Sequence, residues 1–298
     1  MSLLVVGSVA LDSIETPFGK VDETLGGSAT HFALASSLLA ETRLVGNIGH
    51  DLQEEHIQLL REHNVDVTGL KLRDGKSFRW SGRYHEDMNV RETLSVELNV
   101  FGDYEPEIPT AYRDSEFIFL ANGSPVHQLQ VLDEMENPRF SVVDTMDHWI
   151  ESQKDELRLL LKKVDAIVLN DSEARQLSGE YGVKAAEAVL DLGPRYVIMK
   201  KGEHGAIMVG QQQRFLIPAY PTTTVTDPTG AGDSFAGGMM GHLAREGEVT
   251  PATLRTAMAY GTVIASFNCE DFGVKRVANL TIEDVESRLA EFREMLMF

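Results

Sequence analysis

Hydrophobic and polar positions along the chain form two alternating kinds of segment. Short apolar runs rich in β-branched residues predict buried strands at Leu3–Val6, Arg43–Ile48, Phe117–Leu120, Phe140–Val143, Ala166–Leu169 and Tyr196–Met199. Longer stretches with helical spacing follow most of them and predict helices at Thr30–Ala40, Glu54–His63, Gln128–Glu136, Glu151–Lys163 and Ala185–Leu192. Strands that alternate with helices indicate βαβ units, so we expect an α/β protein with a mainly parallel central sheet and helices on both faces.

The pattern changes in two regions. Residues 72–103 contain two segments of near-alternating polarity, Ser77–His85 and Glu92–Val100, which predict an antiparallel pair of strands projecting from the sheet. The last third has helical spacing at Ala231–Arg245, Pro251–Asn268 and Ile282–Leu296, with few strands between. Because no repeat or linker interrupts the sequence, we expect a single domain over residues 1–298 with 72–103 inserted in it.

Charge and composition narrow the class of partner. The chain has 27 basic and 46 acidic residues, a formal net charge of −19, which disfavours nucleic acid and anionic membranes because both are bound through Lys and Arg. The only cysteine, Cys269, cannot form an intrachain disulfide. The first residues lack the features of a signal peptide, and no apolar run is long enough to span a bilayer. We therefore expect a cytoplasmic protein that binds neither nucleic acid nor membrane.

The segment Thr226–Gly238 (TDPTGAGDSFAGG) carries the clearest chemical signal. Three small residues, Gly230, Ala231 and Gly232, precede a predicted helix that begins near Asp233. Small residues allow close approach of a ligand, and a helix start offers unpaired N–H groups with a partial positive charge. This combination suits the charge that develops on a transferred phosphoryl group, and Asp233 is placed to take a proton from an attacking hydroxyl. Taken alone, the motif also fits a glycine-rich turn capped by an aspartate.

The longer motif Asp227–Asp233 (DPTGAGD) resembles the C-terminal signature of the ribokinase-like, or PfkB, family of carbohydrate and nucleoside kinases. Four further elements occur in the family's order: Gly7–Asp12 (GSVALD), Gly26-Gly27, Asn170–Glu173 (NDSE) and Lys201–Gly205 (KGEHG). The resemblance covers residues 4 to about 275. It implies a three-layer α/β sandwich with a small β lid at 72–103. It also implies a Mg²⁺- and ATP-dependent kinase that transfers the γ-phosphate to a hydroxyl of a small sugar or sugar-like molecule.

The resemblance also implies roles for single residues. For catalysis these are Asp233 as the base and the turn formed by Gly230, Ala231 and Gly232. For the acceptor they are Asp12, Gly26 and Gly27, with His31 and Asn122 as further candidates for a polyol-binding set. For the nucleotide they are Asn170, Lys200, Gly202, Gly205 and Thr229. For Mg²⁺, held largely through water, they are Glu173 and Asn170. In members that use K⁺, the matching ligands are Asp227 and Thr229, completed by carbonyls near Ala265 and Gly273.

Structural alternatives remain open for these positions. Asp12 fits a turn after the first strand, and Gly26-Gly27 fits a tight turn. Asn170 and Glu173 have the spacing of a helix cap. Lys200 fits a solvated charge, and Asp227 fits a side chain that closes a turn.

The acceptor is the least defined part of the prediction. Four positions differ from the ribose-specific members. Ala10 and His31 each stand where those members have an Asn, Ser28 stands where they have a Lys, and Gly123 stands where they have a Glu. A sugar site is defined by its hydrogen bonds, so these departures make ribose itself doubtful. A nucleoside is the alternative acceptor, and a non-catalytic ligand-binding regulator is a third hypothesis.

The predicted lid adds aromatic and basic residues. Phe78 and Trp80 fit stacking on a nucleobase. Arg79 and Arg83 share a strand face, as the alternation of a strand dictates, and fit either an anionic sugar or pairing with acidic neighbours. Lids of the family it resembles often pair across a dimer, and the strand-like edges of this lid fit a homodimer formed through it. A monomer is the open alternative.

Overall fold

A nine-stranded sheet forms the centre of the protein. The computed structural model describes residues 1–297. The sheet has the order β13-β12-β11-β10-β9-β8-β1-β4-β5. Its strands are β1 (Leu3–Val6), β4 (Thr42–Ile48), β5 (Val65–Leu72), β8 (Phe117–Leu120), β9 (Phe140–Asp144), β10 (Ala166–Asn170), β11 (Tyr196–Lys200), β12 (Ala206–Gly210) and β13 (Gln213–Ile217). The strands from β5 to β11 in this order are parallel, whereas β12 and β13 are antiparallel at one edge. The mainly parallel sheet predicted from the sequence is confirmed.

A second, four-stranded sheet forms the lid, in the order β3-β2-β6-β7. Its strands are β2 (Ala10–Thr16), β3 (Gly19–Gly26), β6 (Phe78–Tyr84) and β7 (Arg91–Glu97). The predicted antiparallel pair is confirmed as β6 and β7. The sequence did not predict β2 and β3, which add two strands from the chain's N-terminal part. Asp12 therefore lies within a lid strand, paired with Trp80, and not in a turn after the first strand.

Twelve α-helices accompany the sheets in the described part of the chain. They are α1 (Ser28–Ser37), α2 (Glu54–Glu62), α3 (Val100–Asp103), α4 (Pro125–Glu134), α5 (Asp147–Ser152), α6 (Lys154–Leu161), α7 (Asp171–Ser178), α8 (Val183–Leu190), α9 (Ala231–Glu246), α10 (Pro251–Asn268), α11 (Lys275–Ala278) and α12 (Ile282–Met295). The single helix predicted at Glu151–Lys163 is wrong, because Gln153 has non-helical backbone angles and separates α5 from α6. Within residues 1–297 no helix combines the length and apolarity needed to cross a membrane.

Alternate residues of the central strands face two different layers of the core. In β1, Leu3 and Val5 pack in the cluster that contains residues of α1, α9 and α10. Leu4 and Val6 pack on the other face, with residues of α6, α7 and α8. A strand covered on both faces is apolar throughout, which explains the continuous hydrophobic runs in the sequence. The result is the predicted three-layer sandwich.

Glycines set the close packing of α9 against its neighbours. A Cβ added to Gly237 would lie 2.4 Å from the Phe32 carbonyl oxygen of α1. A Cβ added to Gly261 of α10 would lie 2.4 Å from the Phe235 carbonyl oxygen of α9. Since these contacts leave no space for a methyl group, α9 is held between α1 and α10 at a fixed distance.

This packing predicts that Gly237→Ala destabilises the fold. We expect the free energy of unfolding, measured by urea denaturation, to fall by about 1–3 kcal/mol, the usual cost of overpacking. Gly123→Ala is the matched control, because its added Cβ would meet nothing closer than 3.5 Å. Equal stabilities for the two variants would show that α9 can shift to accept a side chain.

Candidate active site

Three neighbouring parallel strands end in polar residues at one edge of the sheet. Asp144 is the last residue of β9, Asn170 of β10 and Lys200 of β11. Asn170 and Lys200 lie opposite each other in the strand register. The carboxyl edge of an open α/β sheet is where ligands bind, so these residues form one side of a candidate site.

The start of α9 forms the turn that the sequence predicts to be catalytic. Gly230 precedes the helix with a positive φ of 74°, and an added Cβ would lie 2.2 Å from Nδ1 of His31. Both the backbone conformation and the space therefore require glycine at this position. The amides of Gly232 and Asp233 have no hydrogen-bond partner among residues 1–297. The amide of Ala231 donates to the Pro228 carbonyl at 3.1 Å, so its predicted place among the phosphate-binding amides is wrong.

Asp233 lies in the first turn of α9. The residue is half-buried, and the protein around its carboxyl group excludes much of the water that would solvate the charge. This desolvation raises the pKa of Asp233 to about 7, and the negative charge of Asp144 adds to the rise, while Lys200 opposes it. A carboxyl group with a pKa near neutrality is suited to general-base catalysis at physiological pH.

Lys200 places a positive charge against the same turn. Its Nζ atom is 3.7 Å from Oδ2 of Asp144, and a Cβ added to Gly232 would lie 2.9 Å from Nζ. Burial alone would lower the pKa of Lys200, but Asp144, Glu173 and Asp233 outweigh it and raise the pKa. The side chain is only 20% exposed, so the alternative of a solvated charge is wrong.

Asp144 was missed by the sequence analysis. It is 5% exposed, and burial raises the pKa of its carboxyl group while Lys200 lowers it. An acidic residue that closes a buried apolar strand (FSVVD) was the available signal, because the ends of parallel strands meet at one edge.

Asn170 and Glu173 form a complete capping box at the start of α7. Asn170 Oδ1 accepts from the Glu173 amide at 2.8 Å, and Glu173 Oε2 accepts from the Asn170 amide at 2.6 Å. The structural alternative for this pair is thus confirmed, and it leaves Oε1 of Glu173 without a partner among residues 1–297. Burial raises the pKa of Glu173 to about 8, with Lys200 lowering it and Asp144 raising it.

The residues at this edge fit Mg²⁺ bound mainly by water and phosphate. The described residues contain no group of three or more His, Cys, Asp or Glu side chains placed to hold a metal by themselves. Mg²⁺ in kinases is commonly held by one or two carboxylates together with substrate phosphates. The free Glu173 oxygen and the excess of carboxylates over cations at the edge meet that requirement.

Asp12, the predicted acceptor-binding carboxylate, contacts the Gly26-Gly27 turn. Its Oδ2 accepts from the Gly27 amide at 3.2 Å, and a Cβ added to Gly26 would lie 2.0 Å from the same oxygen. Gly27 has a φ of 93° and an added Cβ would lie 2.5 Å from the Ser8 carbonyl oxygen. Both glycines are therefore required for Asp12 to approach the backbone. Burial raises the pKa of Asp12 to about 7 despite the bond from Gly27.

His31 supports the catalytic turn from behind. The Asn268 Nδ2 group donates to the Thr229 carbonyl, so Asn268 Oδ1 faces Nδ1 of His31 at 3.1 Å. Because a carbonyl oxygen only accepts, Nδ1 carries the hydrogen, and Nε2 is left as an acceptor without a partner among residues 1–297. Burial lowers the pKa of His31 to about 4, which keeps it neutral.

Asn122 does not offer a free amide to an acceptor. Its Oδ1 accepts from Trp149 Nε1 at 3.0 Å, and its Nδ2 contacts Met146 Sδ at 3.1 Å. The prediction of Asn122 as a polyol-binding residue is therefore not supported by its contacts.

Asp227 closes the turn before α9. Its Oδ1 accepts from the Thr229 amide and its Oδ2 from the Gly273 amide, both at 2.9 Å. Burial raises the pKa of Asp227, although both hydrogen bonds lower it. The Ala265 carbonyl accepts from the Cys269 amide at the end of α10, so it is already engaged.

The lid approaches the residues that the sequence predicts to bind the nucleotide. Thr229 Oγ1 donates to the Tyr84 hydroxyl at 3.3 Å. A Cβ added to Gly202, which has a φ of 53°, would lie 3.1 Å from Oδ1 of Asn89. Gly205, at the end of the same turn, has a φ of 88°, and an added Cβ would be 2.0 Å from the Ile217 carbonyl oxygen. The lid therefore spans from Asp12 to the β11–β12 turn.

The lid arginines differ in their partners. Arg79 bonds to Glu23 at 3.0 Å and to Asp51 at 2.5 Å, and Arg83 bonds to Glu15 at 3.0 Å. Pairing with acidic neighbours, one of the two alternatives for these residues, is thus confirmed. Arg91 has no ion pair within residues 1–297 and lies over the Trp80 ring at 5.6 Å.

A parallel sheet with this edge, a glycine-started helix that carries an acid, and a β lid define a small-molecule kinase of ribokinase-like fold. The family described as pfkB family carbohydrate kinase matches residues 2–280, and the chain belongs to that family. It is a phosphotransferase whose acceptor is an alcohol group.

Individual relatives agree with this assignment. The chain is 31% identical to a cytidine kinase of Thermococcus kodakarensis, over 82% of this chain and 89% of that protein. It is 25% identical to a nucleoside kinase of Methanothermobacter thermautotrophicus, over 92% and 91%.

Two crystal structures share the fold. The nucleoside kinase of Methanocaldococcus jannaschii has a TM-score of 0.78 at 20% identity, over 97% of this chain and 98% of that chain. The aminoimidazole riboside kinase of Salmonella enterica has a TM-score of 0.77 at 21% identity, over 97% and 100%.

The raised pKa of Asp233 predicts an acid limb in the pH profile. A base must be ionised to accept a proton, so kcat/KM for the acceptor should fall by about tenfold per pH unit below 7 and level off above it. The measurement is initial rate against pH at saturating Mg-ATP. Asp12→Asn removes a second carboxyl group whose pKa is about 7 and should retain the limb. If kcat/KM instead fell only below about pH 4 in both the parent protein and Asp12→Asn, a desolvated base would be excluded.

Proposed function

We propose that this protein is an ATP-dependent kinase that phosphorylates a hydroxyl of a small sugar or sugar-like acceptor, with Asp233 as the general base. One observation carries the proposal. A carboxyl group with a pKa of about 7 stands in the first turn of α9, next to two unpartnered amides and the ammonium of Lys200. A base, an anion site and a fixed cation are the groups that phosphoryl transfer to an alcohol requires.

The reaction proceeds by in-line displacement. Asp12, at the Gly26-Gly27 turn, accepts hydrogen bonds from acceptor hydroxyls and orients them. Asp233 takes the proton of the attacking hydroxyl, whose oxygen forms a bond to the γ-phosphorus. The bond from that phosphorus to the β–γ bridging oxygen breaks, and ADP leaves with the electron pair. The amides of Gly232 and Asp233 stabilise the charge on the transferred group.

The nucleotide lies along the ends of β10 and β11 in this proposal. Gly202, Gly205 and Thr229 border it, and Asn170 and Glu173 hold Mg²⁺ largely through water. When bound, Mg²⁺ neutralises charge on the β- and γ-phosphate oxygens. The backbone at Gly202 and Gly205 has positive φ, a conformation that glycine adopts readily.

A nucleoside is the second candidate acceptor. The relatives named cytidine kinase and nucleoside kinase favour it. Phe101 also lies near Gly123, the position at which ribose-specific members carry a Glu. A Cβ added to Gly123 would lie 3.7 Å from the Phe101 ring. Phe78 packs on Phe101 with ring centroids 5.4 Å apart, which extends this apolar surface into the lid. A nucleobase stacks on such a surface.

A monovalent cation such as K⁺ fits near Asp227. This carboxyl group is fully buried and has no cationic partner among residues 1–297. Two backbone amides satisfy its oxygens, but its charge remains uncompensated. A cation bound beside the turn would offset that charge and fix the start of α9.

A homodimer through the lid is the proposed assembly. β7 forms the outer edge of the lid sheet and is exposed along its whole length. Leu94 is 45% exposed and Val96 51% exposed on this strand. An unpaired edge with apolar side chains is stabilised when a second copy covers it.

The test of the base is Asp233→Asn. We expect kcat to fall by about 10²–10⁴ because the variant cannot accept the proton, while ATP affinity measured by calorimetry changes little. Asp155→Asn is the control, since Asp155 is also in a helix's first turn but lies on the surface. Normal turnover by Asp233→Asn would refute its role.

The acceptor class is tested with a panel. ADP release from Mg-ATP is measured with pentoses, hexoses, sugar acids and nucleosides, each in K⁺ and in Na⁺ buffer. Stimulation by sugars alone supports the first proposal, and stimulation by nucleosides supports the second. Stimulation by none of them would favour a binding protein without turnover.

Shortening the lid tip tests the lid. Replacement of residues 85–90 by Asn-Gly keeps β6 and β7 but removes Asn89, whose Oδ1 would lie 3.1 Å from a Cβ added to Gly202. We expect ATP hydrolysis to rise relative to phosphoryl transfer, because water then reaches the γ-phosphate. Phe18→Ala, at the exposed β2–β3 turn, should leave the ratio unchanged. An unchanged ratio in the shortened variant would contradict a role in excluding water.

A further inference from the structure

The pair formed by Asp144 and Lys200 lies at the phosphoryl-transfer site, and neither residue is needed to hold the strands together. Both stand at the last position of their strands, where the hydrogen-bonded ladders of β9 and β11 end. The 3.7 Å between Nζ and Oδ2 is longer than a good hydrogen bond. The ammonium is therefore anchored by Asp144 but not fully engaged by it.

The orientation of Asp144 is fixed by other bonds. Its Oδ1 accepts from the Thr145 amide at 2.9 Å, which leaves Oδ2 directed to Lys200. Its backbone carbonyl accepts from Gln128 Nε2 at 3.1 Å. A buried carboxylate held in this way gives the Lys200 ammonium a fixed partner on the side of β9.

More acidic groups than basic groups surround Lys200. Asp144, Glu173 and Asp233 all act on it, and the phosphates of ATP would add more. In a partly desolvated site, repulsion between these charges is stronger than in water. Lys201, the next residue, lies 3.6 Å from Asp171 and does not contribute to this cluster. Lys200 is therefore the lysine placed to offset the charge of an incoming phosphate.

We propose that Lys200 is a further catalytic residue, whose ammonium binds a non-bridging oxygen of the transferred phosphoryl group, and that Asp144 is its positioning residue. This inference rests on the proposed kinase function. Gly232 has no side chain, so the ammonium lies directly beside the turn whose amides face the same group. The lysine donates hydrogen bonds and keeps its proton throughout, so the proton balance of the reaction through Asp233 is unchanged.

A merely structural ion pair predicts different behaviour. It would stabilise the fold without distinguishing ATP from ADP, because it would contact neither nucleotide. A lysine that binds the γ-phosphoryl oxygens distinguishes them, since only ATP carries that group. The comparison of the two nucleotides therefore separates the two roles.

The test measures nucleotide affinity and turnover in Lys200→Met, Lys200→Arg and the matched control Lys201→Met. By calorimetry with Mg²⁺, we expect Lys200→Met to bind a non-hydrolysable β,γ-imido ATP analogue about tenfold more weakly and ADP within about twofold of the parent protein. Its kcat should fall by about 10²–10³, the usual loss for one charge-stabilising donor. Lys200→Arg should recover part of kcat, and Lys201→Met should behave as the parent.

The double variant Lys200→Met/Asp144→Asn keeps the test valid if the single variant folds poorly. It removes the cation without leaving Asp144 as an unpaired buried charge. A positioning residue acts only through its lysine, so Asp144→Asn should lower kcat on its own but cause no further loss when added to Lys200→Met. Additive losses would overturn the role of Asp144. Equal loss of affinity for the ATP analogue and ADP would overturn the role of Lys200.

The two proposals fail in different ways. If the parent protein phosphorylates no sugar or nucleoside, the proposed function fails, whatever the binding data show. If the parent is an active kinase but Lys200→Met retains kcat and the preference for the ATP analogue, only the inference about Lys200 fails.

Discussion

The position of one helix start governs the chemistry of this protein. Gly230 has a backbone conformation that only glycine adopts readily, and His31 occupies the space beside it. His31 comes from α1, and Asn268, which bonds to both His31 and the Thr229 carbonyl, comes from α10. Glycines further along α9 remove the side chains that would separate these three helices. The first turn of α9 is thereby fixed against the carboxyl edge of the central sheet.

This placement creates a site in which charge is held away from water. Asp233, Asp144 and Glu173 have raised pKa values chiefly because burial disfavours their ionised forms. Holding such groups together costs free energy of folding, and Lys200 offsets only part of it. Regions that tolerate such a cost are commonly functional, because the same low dielectric that penalises unpaired charge strengthens the interactions of a bound ligand.

The lid is more than an inserted hairpin. Two of its four strands, β2 and β3, come from the chain before residue 27, and Asp12 lies on β2 opposite Trp80 of β6. The candidate acceptor-binding carboxylate is therefore part of the lid sheet. Tyr84, from the same sheet, contacts Thr229 next to the catalytic turn. Any movement of the lid would displace the acceptor site together with its cover, which links acceptor binding to the geometry of the turn.

The sequence by itself determined the class of fold and the position of the candidate catalytic motif. Continuous apolar strands such as Leu3–Val6 indicate burial on two faces, and the motif Asp227–Asp233 contains two glycines, Gly230 and Gly232, at which an added side chain would clash. These signals are local, so a single sequence contains them. The strands β2 and β3 were not predicted, because Asp12 and Gly26 were assigned to turns, whereas the fold places them in strands, β2 pairing with both β3 and β6.

Tertiary structure alone decided which groups meet at the site. Asp144 and Lys200 are 56 positions apart, and nothing in the sequence pairs one with the other. They are close because β9, β10 and β11 are neighbours in one sheet. The same holds for His31, Asn268 and Gly230, and for Asn122, whose amide is engaged by Trp149. Burial and charge pairing depend on all nearby chain segments at once, so the pKa shifts and the partners of these residues follow from the folded arrangement and not from sequence spacing.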